Sequence, residues 1–339
     1  MQSLLESPLK LTISITNACN LRCAVCYGDC AATPSSEELS TEEWLAFIEY
    51  LVRNDVIAVF FEGGEPLLRP DLMEILRTCS GRLMTWLRTN GTLVTADTAR
   101  ELKNIGVGTV CVDVLGARPR THDALTGTPG SFERAIAGIR NLKAAGLPTI
   151  MLIILTRLNV GELPEYLRLA RRLGVPKVGV LRLYPLGRAK ARWSEIALSL
   201  DEMTDAIGRL DPPPGVRVMQ SWHPRNGNCC WENAAVMADG ASVGCPYLRE
   251  YVNYGNIRDT PFLETWQHPL YRRLRGGPKR SKAHCASCSS TQGTQGGCRS
   301  TAYAFHRDWD APDPFCKTMN RGVDLRALPQ WLVSQKGGD

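Results

Sequence analysis

Short apolar runs alternate with longer stretches of helical spacing through the first part of the chain. Residues 11–15, 57–61, 83–87, 110–114, 150–155 and 178–183 are runs rich in β-branched and aliphatic side chains, the pattern of buried strands. Between them, apolar positions recur every three to four residues. Ser40-Thr41-Glu42-Glu43 reads as a capping box opening a first helix. Pro70 starts a second helix, residues 98–104 form a third that stops at Gly106, Ser131 caps a fourth that Gly146 closes, and residues 162–173 make a fifth. Apolar strands separated by amphipathic helices imply a parallel sheet with right-handed crossovers. Six units are too few for the eightfold closed barrel, so the expected core is an α/β partial (β/α)6 barrel. Functional groups of such a sheet sit at the carboxyl ends of its strands.

The pattern breaks at Asp211, where DPPPG reads as a turn or linker. Beyond it helical spacing fades while Cys, Gly and Pro increase. The expected division is a core over residues 1–212 and a cysteine-rich α+β domain over residues 213–339. Of the 339 residues 44% are hydrophobic and 22% charged, as in an ordinary globular protein. The net charge of +6 does not call for nucleic acid. No apolar run reaches the roughly 18 residues of a membrane span, so no membrane partner is expected. The N-terminus lacks the layout of a signal peptide, which makes the cytoplasm the expected compartment. A basic stretch, residues 271–282, reads either as a solvated helix end or as a docking surface for an acidic peptide or carboxylated substrate.

Thirteen cysteines change this picture. In a cytosolic chain, clustered cysteines read as metal ligands rather than disulfides. Cys19, Cys23, Cys26 and Cys30 form one group, and Cys229, Cys230, Cys245, Cys285, Cys288, Cys298 and Cys316 a second. Cys79 and Cys111 lie in apolar segments and read as small buried hydrophobes. Cys19-x3-Cys23-x2-Cys26 follows the first strand. Three thiolates on one loop can hold three irons of a cubane and leave the fourth open, as a reaction at metal requires. A zinc knuckle with a distant fourth ligand is the alternative. Cys30 is expected to face the following segment.

This loop, with Tyr27 after its third cysteine, resembles the signature of the radical S-adenosylmethionine superfamily. Gly63-Gly64-Glu65-Pro66 after the second strand resembles the family's GGEP element, and Thr89-Asn90-Gly91 after the third its TNG turn. The resemblance implies a SAM-binding [4Fe–4S] cluster on Cys19, Cys23 and Cys26. It implies S-adenosylmethionine held by Tyr27, Gly63, Gly64, Glu65, Pro66, Thr89 and Asn90. It also implies an oxidoreductase that makes a 5′-deoxyadenosyl radical and oxidatively modifies a C–H bond. Two positions depart from the family: Asp113 stands where serine is frequent and Thr126 where arginine is. Their usual contact to the cofactor carboxylate is therefore not assigned, with Arg182 as a possible substitute.

Cys230-x9-Gly240-x4-Cys245, then Cys285-x2-Cys288-x9-Cys298-x17-Cys316, resembles the SPASM extension that holds auxiliary [4Fe–4S] clusters in related enzymes. Residues 254–259 and the segment around Trp266 resemble its internal bridge. The resemblance implies one auxiliary cluster on Cys245, Cys298 and either Cys229 or Cys230. A second would use Cys285, Cys288 and Cys316, with Thr294 in place of the family's cysteine. A zinc-binding fold is the alternative. Enzymes with this extension mostly modify ribosomally made peptides or protein side chains. The expected substrate is a peptide, either short or presented by a separate leader-binding protein, because no such module precedes Cys19. A small molecule such as a tetrapyrrole or sugar is the alternative, and a non-enzymatic electron-transfer protein is disfavoured by the GGEP and TNG elements. The expected reductant is a flavodoxin or ferredoxin.

Overall fold

The computed structural model describes residues 5–220, 233–276 and 297–334. Strands β1 (Lys10–Ser14), β2 (Ala58–Glu62), β3 (Met84–Thr89), β4 (Thr109–Asp113), β5 (Thr149–Ile154) and β6 (Lys177–Leu181) follow the six apolar runs within one residue at the start and one or two at the end. Two further strands, β7 (Arg217–Gln220) and β8 (Asn233–Val236), complete an eight-stranded sheet of order β7-β6-β5-β4-β3-β2-β1-β8. Every pairing is parallel, and β7 and β8 form the two edges. The sheet is thus an open partial barrel with helices on its outer face. It does not end at residue 212, because β8 pairs with β1 from Lys10↔Asn233 onward. Both extra strands have four residues, too few to show periodicity beside the DPPPG break.

Helices α1 (Thr41–Arg53), α2 (Leu72–Cys79), α3 (Ala96–Ile105), α4 (Pro119–Thr126), α5 (Ser131–Ala144) and α6 (Leu163–Arg172) connect the core strands. The capping box at Ser40 is present, with both reciprocal bonds to Glu43. Gly106 ends α3 in the left-handed conformation at φ 91°. Ser131 is not a cap but the first helical residue, and Gly130 holds the cap position at φ 73°. The capping acceptor is instead Asp123, whose carboxylate accepts from the Gly130 and Phe132 N–H groups and the Ser131 hydroxyl.

Side chains alternate across the sheet. Val59, Phe61, Leu87, Val110, Val112, Met151, Ile153 and Val180 join the large core beneath the helices. Phe60, Cys111, Ile150, Leu152 and Leu181 form a separate apolar cluster on the inner face. Cys79 and Cys111 are buried, and burial pushes both thiols up to about 12. No helix among the described residues is long and apolar enough to cross a membrane.

Candidate active site

The cysteine loop leaves β1 at the carboxyl edge of the sheet and is braced from three directions. The Cys19 N–H donates to the Ala31 carbonyl at 2.7 Å, closing the loop on itself. Arg22 and Ala24 N–H groups donate to the Thr126 and Leu125 carbonyls at 3.0 and 2.7 Å, so the end of α4 supports its middle. From the segment after β6, the Arg188 guanidinium donates to the Cys23 and Cys30 carbonyls, and the Ala189 N–H donates to the Cys26 carbonyl at 3.0 Å. Sequence patterning missed this last brace, because Arg188 lies more than 150 residues from the loop it holds.

Gly63 and Gly64 are required by close backbone packing. A Cβ on Gly63 would sit 2.4 Å from the Thr16 carbonyl oxygen, and one on Gly64 2.0 Å from that of Ala18. The Gly64 and Glu65 N–H groups donate to those same two oxygens, both at 2.7 Å. Behind this turn, Glu65 is fully buried and joins it to the next one. Its carboxylate accepts from the Thr89 hydroxyl and the Asn90 N–H, each at 2.7 Å, and from the Leu67 N–H at 3.1 Å. Burial pushes Glu65 up to about 7, against those hydrogen bonds. Asn90 in turn donates to Asn20 of the cysteine loop at 2.8 Å.

These elements meet at one cavity, lined by Cys19, Cys23, Cys26, Tyr27, Gly63, Gly64, Thr89 and Asn90. Glu65 and Pro66 lie behind its wall. Cys30 departs from expectation, because it faces this cavity instead of the following segment, its Sγ 4.0 Å from that of Cys26. Burial pushes the Cys19 thiol up to about 11, whereas contact with the Cys30 thiol lowers Cys26. Soft thiol donors on one wall suit iron–sulfur chemistry. Among the described residues no three Cys, His, Asp or Glu side chains converge as ligands of a single ion would. Thiols spread over a shared cavity fit a cubane, in which each takes a different iron.

A charged layer at the strand ends was not foreseen. Arg88 and Asp113 line the cavity and pair bidentately at 2.8 and 2.9 Å, with Glu62 3.6 Å from the same guanidinium. Tyr27 donates its hydroxyl to Glu62. Thr126 does not reach the cavity, since its hydroxyl is buried against Ser131 at 2.6 Å. Nor does Arg182, which turns toward the C-terminal part and pairs with Asp313.

Of the C-terminal cysteines, Cys245, Cys298 and Cys316 are described, while Cys229, Cys230, Cys285, Cys288 and Thr294 lie outside the described residues. Tyr184 and Tyr247 stack at 3.7 Å between the two cysteine groups. The Tyr247 ring meets Tyr27 edge-on at 4.9 Å, and the Tyr184 hydroxyl lies 3.9 Å from the Cys298 sulfur. In the basic stretch, Arg275 is buried against Trp266 and so is neither solvated nor free to dock a partner, while Arg273 pairs with Asp310 at the surface.

A partial barrel with three loop thiols and two strand-end turns on one cavity is the framework of a cluster-dependent enzyme. Residues 13–170 match the family model of the Radical SAM superfamily, and residues 229–289 that of an iron-sulfur cluster-binding domain, SPASM. The chain is 31% identical to the AdoMet-dependent heme synthase of Methanosarcina barkeri, with 93% of this chain and 98% of that protein covered. It is 30% identical to the mycofactocin maturase MftC of Mycobacterium tuberculosis, with coverage of 92% and 83%. Streptococcus suis SuiB bound to S-adenosylmethionine shares the fold, with a TM-score of 0.72 over 93% of this chain and 78% of SuiB at 18% identity. The chain therefore belongs to the radical SAM superfamily and carries a SPASM domain. It is an enzyme that uses [4Fe–4S] clusters and S-adenosylmethionine.

Proposed function

We propose that the enzyme oxidatively modifies a C–H bond in a ribosomally made peptide or protein side chain. One observation carries the catalytic half of this reading: Cys19, Cys23 and Cys26 share a cavity with the turns at Gly63-Gly64 and Thr89-Asn90. The three cysteines would hold the cluster, with Tyr27, Gly63, Gly64, Thr89 and Asn90 around the cofactor. Glu65 and Pro66 set the turns from behind. When bound, cluster and cofactor together supply reductive cleavage of the sulfonium and abstraction of a hydrogen atom. The protein's own part is positional. Arg188 and the end of α4 hold the loop, Asn20 locks it to the TNG turn, and the Arg88–Asp113–Glu62 layer shapes the inner end of the cavity. Cys245, Cys298 and Cys316, with Cys229, Cys230, Cys285 and Cys288, would hold the auxiliary clusters in a domain drawn from residues 213–339, a stretch that also lends β7 and β8 to the core sheet. A flavodoxin or ferredoxin would supply electrons, in the cytoplasm.

The peptide reading is supported by the maturase relative and by a fold neighbour, SuiB, seen with its precursor peptide SuiA. A tetrapyrrole is the second reading, favoured by the heme synthase whose whole length this chain matches. The two separate in one experiment. Anaerobically reconstituted enzyme, dithionite and S-adenosylmethionine are incubated with a short peptide encoded beside the gene or with a carboxylated tetrapyrrole. Mass spectrometry is expected to show a mass change in the peptide. Change in the tetrapyrrole alone would overturn the peptide reading.

A further inference from the structure

Asp313 is a fully buried carboxylate in the segment leading to Cys316. One of its oxygens accepts from the Arg182 guanidinium at 2.8 Å and from the Cys298 N–H at 2.9 Å. The other accepts from the Thr301 hydroxyl at 2.8 Å and the Phe315 N–H at 3.1 Å. Gly297 permits this approach, since a Cβ there would lie 2.4 Å from that of Asp313. The carboxylate therefore ties the chain at Cys298 to the residue before Cys316, both candidate auxiliary ligands. Arg182, 4% exposed just past β6, ties that assembly to the barrel and lies 4.7 Å from the centre of the Phe315 ring.

A buried ion pair has a large electrostatic consequence when one member is lost, because little water screens the charge that remains. Reducing an iron–sulfur centre adds one negative charge, so a nearby uncompensated cation favours the reduced form and an uncompensated anion opposes it. Charges just outside the ligand set tune a metal centre in this way. We propose that Arg182 and Asp313 are a charge-balanced positioning pair that sets the reduction potential of the auxiliary centre to which Cys298 belongs. This rests on the reading that Cys298 holds auxiliary iron.

The test uses full-length protein with Cys19, Cys23 and Cys26 all replaced by Ser, so that only auxiliary iron remains. Its potential is read by redox titration with electron paramagnetic resonance. Asp313→Asn is expected to shift the potential upward and Arg182→Gln downward, and the double variant should return toward the starting value. Packing alone does not predict opposite signs with cancellation. Loss of iron from both single variants with retention in the double also supports charge balance. Shifts of one sign, no shift with iron retained, or loss of iron from all three would overturn the proposal. Absence of iron before either residue is changed would overturn the ligand reading itself.

Discussion

The carboxylate of Glu65 accepts the backbone N–H of Asn90 at 2.7 Å, and so welds the turn after β2 to the turn after β3. With the Thr89 hydroxyl and Leu67 N–H, three donors depend on one buried side chain. Glu65→Ala leaves them without an acceptor, at about 1–3 kcal/mol for each that stays dry. We expect a clear fall in thermal stability and weaker S-adenosylmethionine binding by calorimetry, with the iron of the N-terminal cluster retained. Affinity equal to wild type would show that the turns hold their places without Glu65.

Gly64 tests the packing between the same turn and the cysteine loop. A methyl group 2.0 Å from the Ala18 carbonyl oxygen forces one backbone to move. Gly64→Ala should therefore lose the N-terminal cluster, about four iron atoms per chain. Iron analysis after anaerobic reconstitution checks this, and an undiminished iron content would contradict it.

Asp113 balances Arg88 inside the cavity. Removing one partner of a part-buried pair leaves the other charge short of its partner, and Glu62 at 3.6 Å offers only partial compensation. Asp113→Ala should destabilise the protein by about 1–2 kcal/mol, between a surface pair and a fully buried one. A denaturant midpoint unchanged from wild type would show that Arg88 needs no such partner.

His122 gives a pH signature. Its Nδ1 accepts the Leu115 N–H at 3.0 Å, which requires a neutral ring, and burial lowers its pKa to about 4. An unfolded histidine, near 6.5, takes its proton first as pH falls, so this contribution is present above about 6.5 and lost toward 4. Between pH 7 and 5 the wild type should lose on the order of 2 kcal/mol that a His122→Asn variant does not. Parallel pH profiles for the two proteins would contradict the assignment.

Much of this was legible in the chain. Six strands, the Ser40 box and the Gly106 stop follow from local periodicity and backbone chemistry, which are sequence-local by nature. What escaped depends on contacts between distant segments. Asp113 stood out only as a departure from the family pattern, and Glu62 and Arg88 not at all. Yet Phe60/Glu62, Trp86/Arg88 and Cys111/Asp113 each keep the period of two that places a side chain on one face, a signal that could have found them. Gly63 and Gly64 stood out through the GGEP resemblance, whereas what demands glycine there is the backbone of Thr16 and Ala18. Cys30 differs from its neighbours only by where the loop folds back through the Cys19–Ala31 bond.

We expect S-adenosylmethionine to be cleaved in the cavity around Cys19, Cys23 and Cys26. Anaerobically reconstituted protein is given dithionite and S-adenosylmethionine, and products are measured by liquid chromatography and mass spectrometry. 5′-Deoxyadenosine and methionine are expected from the wild type and neither from Cys19→Ala. Absence of both products from the wild type, or equal amounts from the variant, would contradict it.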